Sequence, residues 1–263
     1  MPKRIVIHAG FHKTGTTSIQ KTLRENKGLL LPEIRIVLRD EMLGMCESAR
    51  AYSQSKSALD LGMVQFETAD TLQKFAEFDG ILLLSSEDLS GHMPGRRGLT
   101  TYDAMPVIMQ AIVGAAHEVF PDVELSLVFG IRTAETWLSS CYAQHLRATR
   151  LTQTAQEYAG DYSGSADLEG VISSLAEALP NTEIVTMPLE ACGGLLLGPT
   201  DLLLDHLEVA QTVRHGFTIL PPANISPPQK KLDKLLELNR SSLYDADLKK
   251  AKRALNAQKF AVD

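Results

Sequence analysis

The sequence predicts a three-layer α/β/α fold with a mostly parallel central sheet, and three observations lead to this prediction. A short β-branched run at residues 5–9 ends in a glycine-rich loop, and an amphipathic helix with Ile19 and Leu23 at four-residue spacing follows. Two further apolar runs, residues 80–84 and 123–131, have the continuous hydrophobicity of strands that are buried on both faces. Helical segments separate these runs, and strands that alternate with helices indicate a parallel sheet covered on both sides.

Two further strands and several helices complete the predicted alternation. The strands are expected at residues 34–38 and 183–187. Helices are expected at about residues 40–78, 102–117, 133 onwards and 166–178. The glycine- and proline-rich segment at residues 91–98 follows a predicted strand, and loops in that position carry the binding sites of α/β proteins.

Composition excludes several classes of function. The 263 residues include 26 basic and 32 acidic side chains, a net charge of −6, and such a chain is not expected to bind nucleic acid polymers. No apolar run approaches the roughly 18 residues that are needed to span a bilayer, so no integral membrane segment is expected. Three cysteines far apart in the sequence favour a reducing compartment over a disulfide framework or a zinc site. We therefore expect a cytoplasmic protein.

The chain is expected to form one domain over residues 1–263, with a helical tail at about 227–263. Residues 230–263 contain nine basic and five acidic side chains, whereas the rest of the chain is strongly acidic. The tail includes the cationic run Lys249-Lys250-Ala-Lys252-Arg253. Such a run is most often a solvated helix face, and contact with an anionic ligand is the alternative interpretation.

The loop after the first strand has the chemistry of an anion site. A loop between a buried strand and a helix points backbone N–H groups at one spot, where the helix dipole adds partial positive charge. Lys13 adds a full charge, and Thr16, Thr17 and Ser18 add hydroxyl donors. The segment therefore predicts a phosphate or sulfate group bound at close range.

The nucleotide P-loop, GxxxxGK[ST], is the obvious comparison for this segment. Gly10 and Gly15 have its spacing, but Thr16 stands where the P-loop lysine belongs, and the lysine is found at position 13. That lysine reaches the outer phosphates of ATP, so its displacement argues against ATP as the ligand. The expected fold is related to P-loop nucleotide hydrolases.

The segment HAGFHKTGTTSIQ, residues 8–20, resembles the 5′-phosphosulfate-binding loop of sulfotransferases, particularly bacterial members related to carbohydrate sulfotransferases. The resemblance implies that the donor is 3′-phosphoadenosine 5′-phosphosulfate (PAPS) and that the product is 3′,5′-ADP (PAP). It also implies that Lys13 contacts the oxygen that bridges phosphate and sulfate. The residues implied to bind the donor here are His12, Lys13, Thr14, Gly15, Thr16, Thr17 and Ser18.

A second match to this family involves an arginine and a serine. Arg132 follows the predicted strand at residues 123–131, and Ser140 lies eight residues further on in the next helix. The resemblance implies that this pair binds the 3′-phosphate of the donor. The glycine-rich C-terminal segment that contacts the same phosphate in small-molecule sulfotransferases is not evident here. Arg147, Arg150 or a lysine of the tail could take over its role.

Sulfuryl transfer needs a group that removes a proton from the attacking acceptor. Glu87 follows a predicted strand, in a region where the family has a catalytic glutamate, and it is the first candidate. His92, in the glycine-rich loop, is the alternative, and Asp88 and His12 are the remaining candidates. Glu87 could instead only stabilise a nearby helix N-terminus.

The sequence therefore predicts an enzyme, a PAPS-dependent sulfotransferase that acts on a hydroxyl or amine without a metal. The acceptor is expected to be a carbohydrate, lipid or small molecule. Because the chain is acidic, a neutral sugar, lipid head group or small alcohol is favoured over a heavily sulfated polymer. Two alternatives stay open: a P-loop kinase or NTPase with an atypical loop, and a nucleotide-binding module without catalysis.

Overall fold

A five-stranded parallel sheet forms the middle layer of the protein, in a computed structural model that describes residues 1–221 and 227–258. The strand order is β2-β3-β1-β4-β5, and every neighbouring pair is parallel. The strands are β1 (Arg4–His8), β2 (Ile34–Leu38), β3 (Ile81–Ser85), β4 (Glu124–Ile131) and β5 (Glu183–Pro188). All five strands expected from the sequence are confirmed.

Helices cover both faces of the sheet and complete a three-layer α/β/α fold. In chain order they are α1 (Thr16–Leu30), α2 (Leu43–Ser55), α3 (Ala58–Gln73), α4 (Met105–Val119), α5 (Ala134–Ala148), α6 (Ala155–Tyr162), α7 (Leu168–Ala178), α8 (Pro199–His206), α9 (Gln211–Arg214), α10 (Gln229–Arg240) and α11 (Asp245–Ala257). Short 3₁₀ turns occur at Arg39–Glu41, Glu87–Ser90, Ser163–Ala166 and Leu189–Cys192.

The helical segment expected at residues 40–78 is two helices. Helix α2 ends where Lys56 adopts a left-handed backbone with φ 52°, and its N–H donates to the carbonyl of Tyr52. Helix α3 then begins at a Ser57 cap, whose side chain accepts a hydrogen bond from the N–H of Asp60. The chain therefore reverses direction between the two helices, which pack against each other.

Two hydrophobic cores lie on opposite faces of the sheet, because side chains alternate along each strand. In β1, Ile5 and Ile7 belong to one core and Val6 to the other. Helix α1 covers the Val6 core with Ile19, and α5 covers the other core with Trp137. The strands β3, β1 and β4 are adjacent, so the segments that follow them meet at one edge of the sheet.

Helices α10 and α11 are the described part of the predicted tail, whose residues 259–263 lie outside the described residues. Asn239 of α10 donates from Nδ2 to the carbonyls of Leu146 (3.2 Å) and Leu151 (2.8 Å), so the tail is anchored at the end of α5. Within residues 1–221 and 227–258, no helix combines the length and the apolar character that crossing a membrane requires.

Candidate functional site

The loop between β1 and α1 is held in a tight conformation by left-handed backbone at three positions. The φ angles are +56° at Gly10, +71° at Lys13 and +95° at Gly15. Glycine reaches this region without a steric penalty, whereas a lysine reaches it only when its surroundings impose the conformation. The position of Lys13 is therefore determined by the fold around it.

Helix α1 begins without a cap and so leaves backbone donors open. Gly15 occupies the N-cap position, and the first turn contains no acidic residue. The N–H groups of Gly15, Thr16 and Thr17 find no acceptor among the described residues. These donors, together with the positive end of the helix dipole, favour an anion at this point.

Thr14 supports the loop from below. Its Oγ1 donates to the carbonyl of Phe11 at 2.6 Å, and the side chain is buried. Gly130 of β4 provides the space, since a Cβ there would lie 2.7 Å from Thr14 Oγ1 and 2.9 Å from the Thr14 carbonyl oxygen. The Thr14 side chain therefore does not line the cavity that the loop borders, although the sequence predicts it to bind the donor.

That cavity, about 430 Å³ in volume, lies at the carboxyl edge of the sheet. The sequence-predicted residues that line it are His12, Lys13, Gly15, Thr16, Thr17, Ser18, Glu87, Asp88, Arg132 and Ser140. Three segments far apart in the sequence thus meet in one place. Among the described residues, no group of three or more His, Cys, Asp or Glu side chains is arranged to hold a metal ion.

Several cavity residues were missed at the level of sequence. They are Met93, Arg96, Gln144, Leu189 and Pro199. Arg96 lies in the loop at residues 91–98 that was expected to carry part of a site. Gln144 is one helical turn beyond Ser140, so helical spacing could have identified it. Nothing in the sequence pointed to Leu189 or Pro199.

Lys13 lies among other cations. Its pKa is lowered by burial and by the guanidinium groups of Arg147 and Arg132, and Glu87 opposes this shift. No hydrogen bond or ion pair to another described residue engages the Lys13 ammonium group. The cavity therefore contains a cation that a bound anion would stabilise.

Arg132 connects the end of β4 to the loop. Its Nη1 donates to the carbonyl of Lys13 at 3.3 Å, and its Nε donates to Thr136 Oγ1 at 3.0 Å. Burial lowers the pKa of Arg132. Ser140 lies two turns along α5 and faces the same cavity, so a guanidinium and a hydroxyl are available to one ligand.

Glu87 and Asp88 follow β3 together, but their partners differ. Glu87 Oε2 accepts a hydrogen bond from Gln20 Nε2 at 2.6 Å. Asp88 Oδ2 accepts one from Arg39 Nε at 2.7 Å, and its Oδ1 lies 3.7 Å from His12 Nε2. Burial alone would raise the pKa of Asp88, but the nearby His12 imidazole and the hydrogen bond from Arg39 hold it at about 2. Asp88 is therefore a weak base.

The two histidines considered as bases are placed differently. His12 lines the cavity, where its Nδ1 shares a hydrogen bond with Tyr102 Oη at 3.1 Å and its carbonyl accepts one from Trp137 Nε1 at 2.9 Å. His92 does not line the cavity. Its Nδ1 accepts a hydrogen bond from Arg50 Nε at 3.4 Å, and burial and Arg50 lower its pKa.

Comparison with known proteins adds no assignment: neither a scan against protein-family models nor a search of curated proteins finds a match to this chain. Any conclusion about its activity therefore depends on the chemistry of the cavity.

Proposed function

We propose that this protein is a sulfotransferase that uses PAPS as the sulfuryl donor and a hydroxyl or amine as the acceptor. One observation carries the proposal. The loop with Lys13 and the strand end with Arg132 each resemble a donor-binding segment of sulfotransferases, and they meet through the Arg132–Lys13 hydrogen bond across 119 residues of sequence. The two resemblances are separate, and neither of them specifies that the other segment lies close by in the fold.

The residues of the cavity fit such a donor. The N–H groups of α1 and the Lys13 ammonium, which have no partner within residues 1–221 and 227–258, match a phosphosulfate, whose oxygens accept hydrogen bonds and carry negative charge. Arg132 and Ser140 supply the planar donor pair and the hydroxyl that suit a terminal phosphate. When bound, PAPS supplies an activated sulfuryl group and leaves as 3′,5′-ADP.

Within this proposal Lys13 stabilises the charge that grows as the bond to sulfur breaks. It acts from a position fixed by the backbone of the loop, so little reorganisation is needed during the reaction. The N–H groups at the start of α1 act in the same way on the phosphate oxygens.

Glu87 is the proposed proton acceptor. Gln20 engages its Oε2, so Oε1 stays available to take the proton of the acceptor hydroxyl or amine. Asp88 is less suited because Arg39 already engages its Oδ2 and its pKa is about 2. His92, outside the cavity, is also less suited.

Calorimetric titration of 3′,5′-ADP, and separately of ATP with Mg²⁺, tests the proposal. We expect micromolar binding of 3′,5′-ADP, little response to ATP, and a loss of about 100-fold in 3′,5′-ADP affinity in Arg132→Ala, since a charged contact to phosphate is removed. Arg24→Ala is the matched control, because Arg24 is exposed and pairs with Asp40 at 3.1 Å away from the cavity residues. Tight ATP binding with no response to 3′,5′-ADP would overturn the proposal in favour of a kinase or NTPase.

A further inference from the structure

A second cavity, about 490 Å³ in volume, lies between the C-terminal half of α5 and helix α11. Its lining is unusually basic for an acidic protein. The charged residues that line it are Arg147, Arg150, Lys249, Lys252, Arg253 and a single carboxylate, Asp245. The question is which of these cations already have partners within the protein.

Two of the cations hold the tail onto the domain. Lys252 is buried, and its Nζ donates to the carbonyls of Leu146 (2.7 Å) and Thr149 (2.6 Å) at the C-terminal end of α5. Arg150 forms an ion pair with Asp245 at 3.0 Å. A cation at a helix C-terminus is stabilised by the helix dipole, so the structural role of Lys252 is accounted for.

The other three cations have no carboxylate partner among the described residues. Lys249 and Arg253 lie one turn apart on α11, both exposed, where like charges repel each other. Arg147 donates only to neutral groups, the carbonyl of Ala143 at 3.3 Å and the side chain of Gln144 at 2.9 Å. Uncompensated charge of one sign that lines a cavity raises the local concentration of counter-ions and favours an anionic ligand.

The second cavity adjoins the first along α5. Gln144, which lines the first cavity, accepts the hydrogen bond from Arg147 of the second. Arg147 is also close enough to Lys13 to lower the pKa of that lysine. From Ser140 to Arg147 the helix rises about 10 Å, a span that a ligand of several rings can bridge and that a single small anion cannot.

We propose that the second cavity binds an anionic part of the acceptor, so that the acceptor carries sulfate or carboxylate groups. The assignment to an acceptor rests on the proposed function. It differs from the neutral acceptor expected from the acidic net charge, because the charge of the whole chain does not describe this cavity. Lys249 and Arg253 are the side chains that select the charged acceptor, and Arg147 places it next to the first cavity.

Binding of a sulfated probe to the full chain tests this proposal. With 3′,5′-ADP present at saturation, a heparin tetrasaccharide is titrated into the protein by calorimetry, and cellotetraose serves as the neutral ligand of equal length. We expect the heparin tetrasaccharide to bind and cellotetraose not to bind. In the double variant Lys249→Ala/Arg253→Ala, the affinity for the heparin tetrasaccharide should fall about tenfold, as expected for the loss of two exposed charge contacts. Both side chains are exposed, so the variant is expected to fold.

The double variant Lys27→Ala/Lys74→Ala is the matched control, since it removes two exposed charges from other surfaces. Equal weakening in this control would overturn the proposal. Binding of the tetrasaccharide only when 3′,5′-ADP is left out would also overturn it, because that result would place the tetrasaccharide in the first cavity. The 3′,5′-ADP titration separates the two proposals. If 3′,5′-ADP binds and the tetrasaccharide does not, only the acceptor proposal fails. If 3′,5′-ADP does not bind, the donor proposal fails. The assignment of the second cavity to an acceptor then fails as well, even where the tetrasaccharide binds at α11.

Discussion

Asp88 lines the first cavity and anchors a charge network there, and its replacement tests that network directly. Its carboxylate joins Arg39 of the turn after β2 to His12 of the loop after β1. Asp88→Asn keeps the size of the side chain and removes its charge. We expect the variant to fold and to be less stable, because Arg39 loses its ionic partner and the contact with His12 loses the carboxylate.

The size of the loss follows from the pKa of Asp88. Burial favours the neutral acid, but the nearby His12 imidazole and the hydrogen bond from Arg39 outweigh it and hold the pKa at about 2, below the ordinary value of 3.8. One pKa unit corresponds to about 1.4 kcal/mol, so the ionised carboxylate contributes about 2 kcal/mol to the free energy of unfolding at pH 7. Because the folded state has the lower pKa, the contribution is present above the unfolded pKa and is lost as the pH falls towards 2. Roughly half of it remains at pH 3.

Urea unfolding followed by far-ultraviolet circular dichroism measures this difference at pH 7 and at pH 3. Asp40→Asn is the matched control, since the Asp40 carboxylate is exposed and its ion pair with Arg24 spans 3.1 Å in solvent. The wild type should exceed Asp88→Asn by about 2 kcal/mol at pH 7 and by about half of that at pH 3. The reasoning is refuted if the two asparagine variants unfold at the same urea concentration at pH 7, or if the gap between the wild type and Asp88→Asn does not narrow at pH 3.

Three further predictions concern the first cavity. Lys13→Ala should lower the turnover of sulfuryl transfer by about 100-fold or more and change the affinity for 3′,5′-ADP less, whereas Arg132→Ala should mainly lower that affinity. Equal effects of both variants on kcat and on the Kd from calorimetry would contradict these roles. Glu87→Gln should lower turnover by about 100-fold or more with an unchanged thermal midpoint, and full activity in this variant would exclude Glu87 as the base. Gly130→Ala should lower the free energy of unfolding, measured with urea, by about 1–3 kcal/mol and lower the affinity for 3′,5′-ADP, because its Cβ would lie 2.7 Å from Thr14 Oγ1. If the variant is as stable as the wild type, the loop is able to move away from the new Cβ.

The layers and the central strands could be predicted because parallel strands buried on both faces are largely apolar. The helix boundaries could not all be predicted. Lys56 ends α2 in a left-handed conformation that usually signals glycine, so the break between α2 and α3 was missed. Helix α6 was also missed, although Thr154 and Glu157 form a capping box whose spacing is visible in the sequence.

The candidate site was predictable only where its residues follow strands. Lys13, Glu87 and Arg132 each lie just beyond the carboxyl end of a central strand, and topology brings such positions together. Whether Glu87 or Asp88 keeps a carboxylate available depends on partners 67 and 49 residues away, Gln20 and Arg39. No local sequence pattern encodes that difference. The sequence therefore predicts only the segment that holds the base, and the side-chain contacts distinguish Glu87 from Asp88.

The charges around Lys13 link the architecture of the cavity to its ligand. Burial and the guanidinium groups of Arg147 and Arg132 disfavour the protonated form of Lys13 and lower its pKa. The fold nevertheless holds these cations together, through the hydrogen bond from Arg132 to the Lys13 carbonyl and through the placement of Arg147 by Gln144. An anion that enters the cavity relieves this repulsion and raises the pKa of Lys13, so binding and protonation favour each other. The free energy of holding like charges close together is thus recovered when a phosphate or sulfate binds, and a neutral ligand of the same size would leave the repulsion in place.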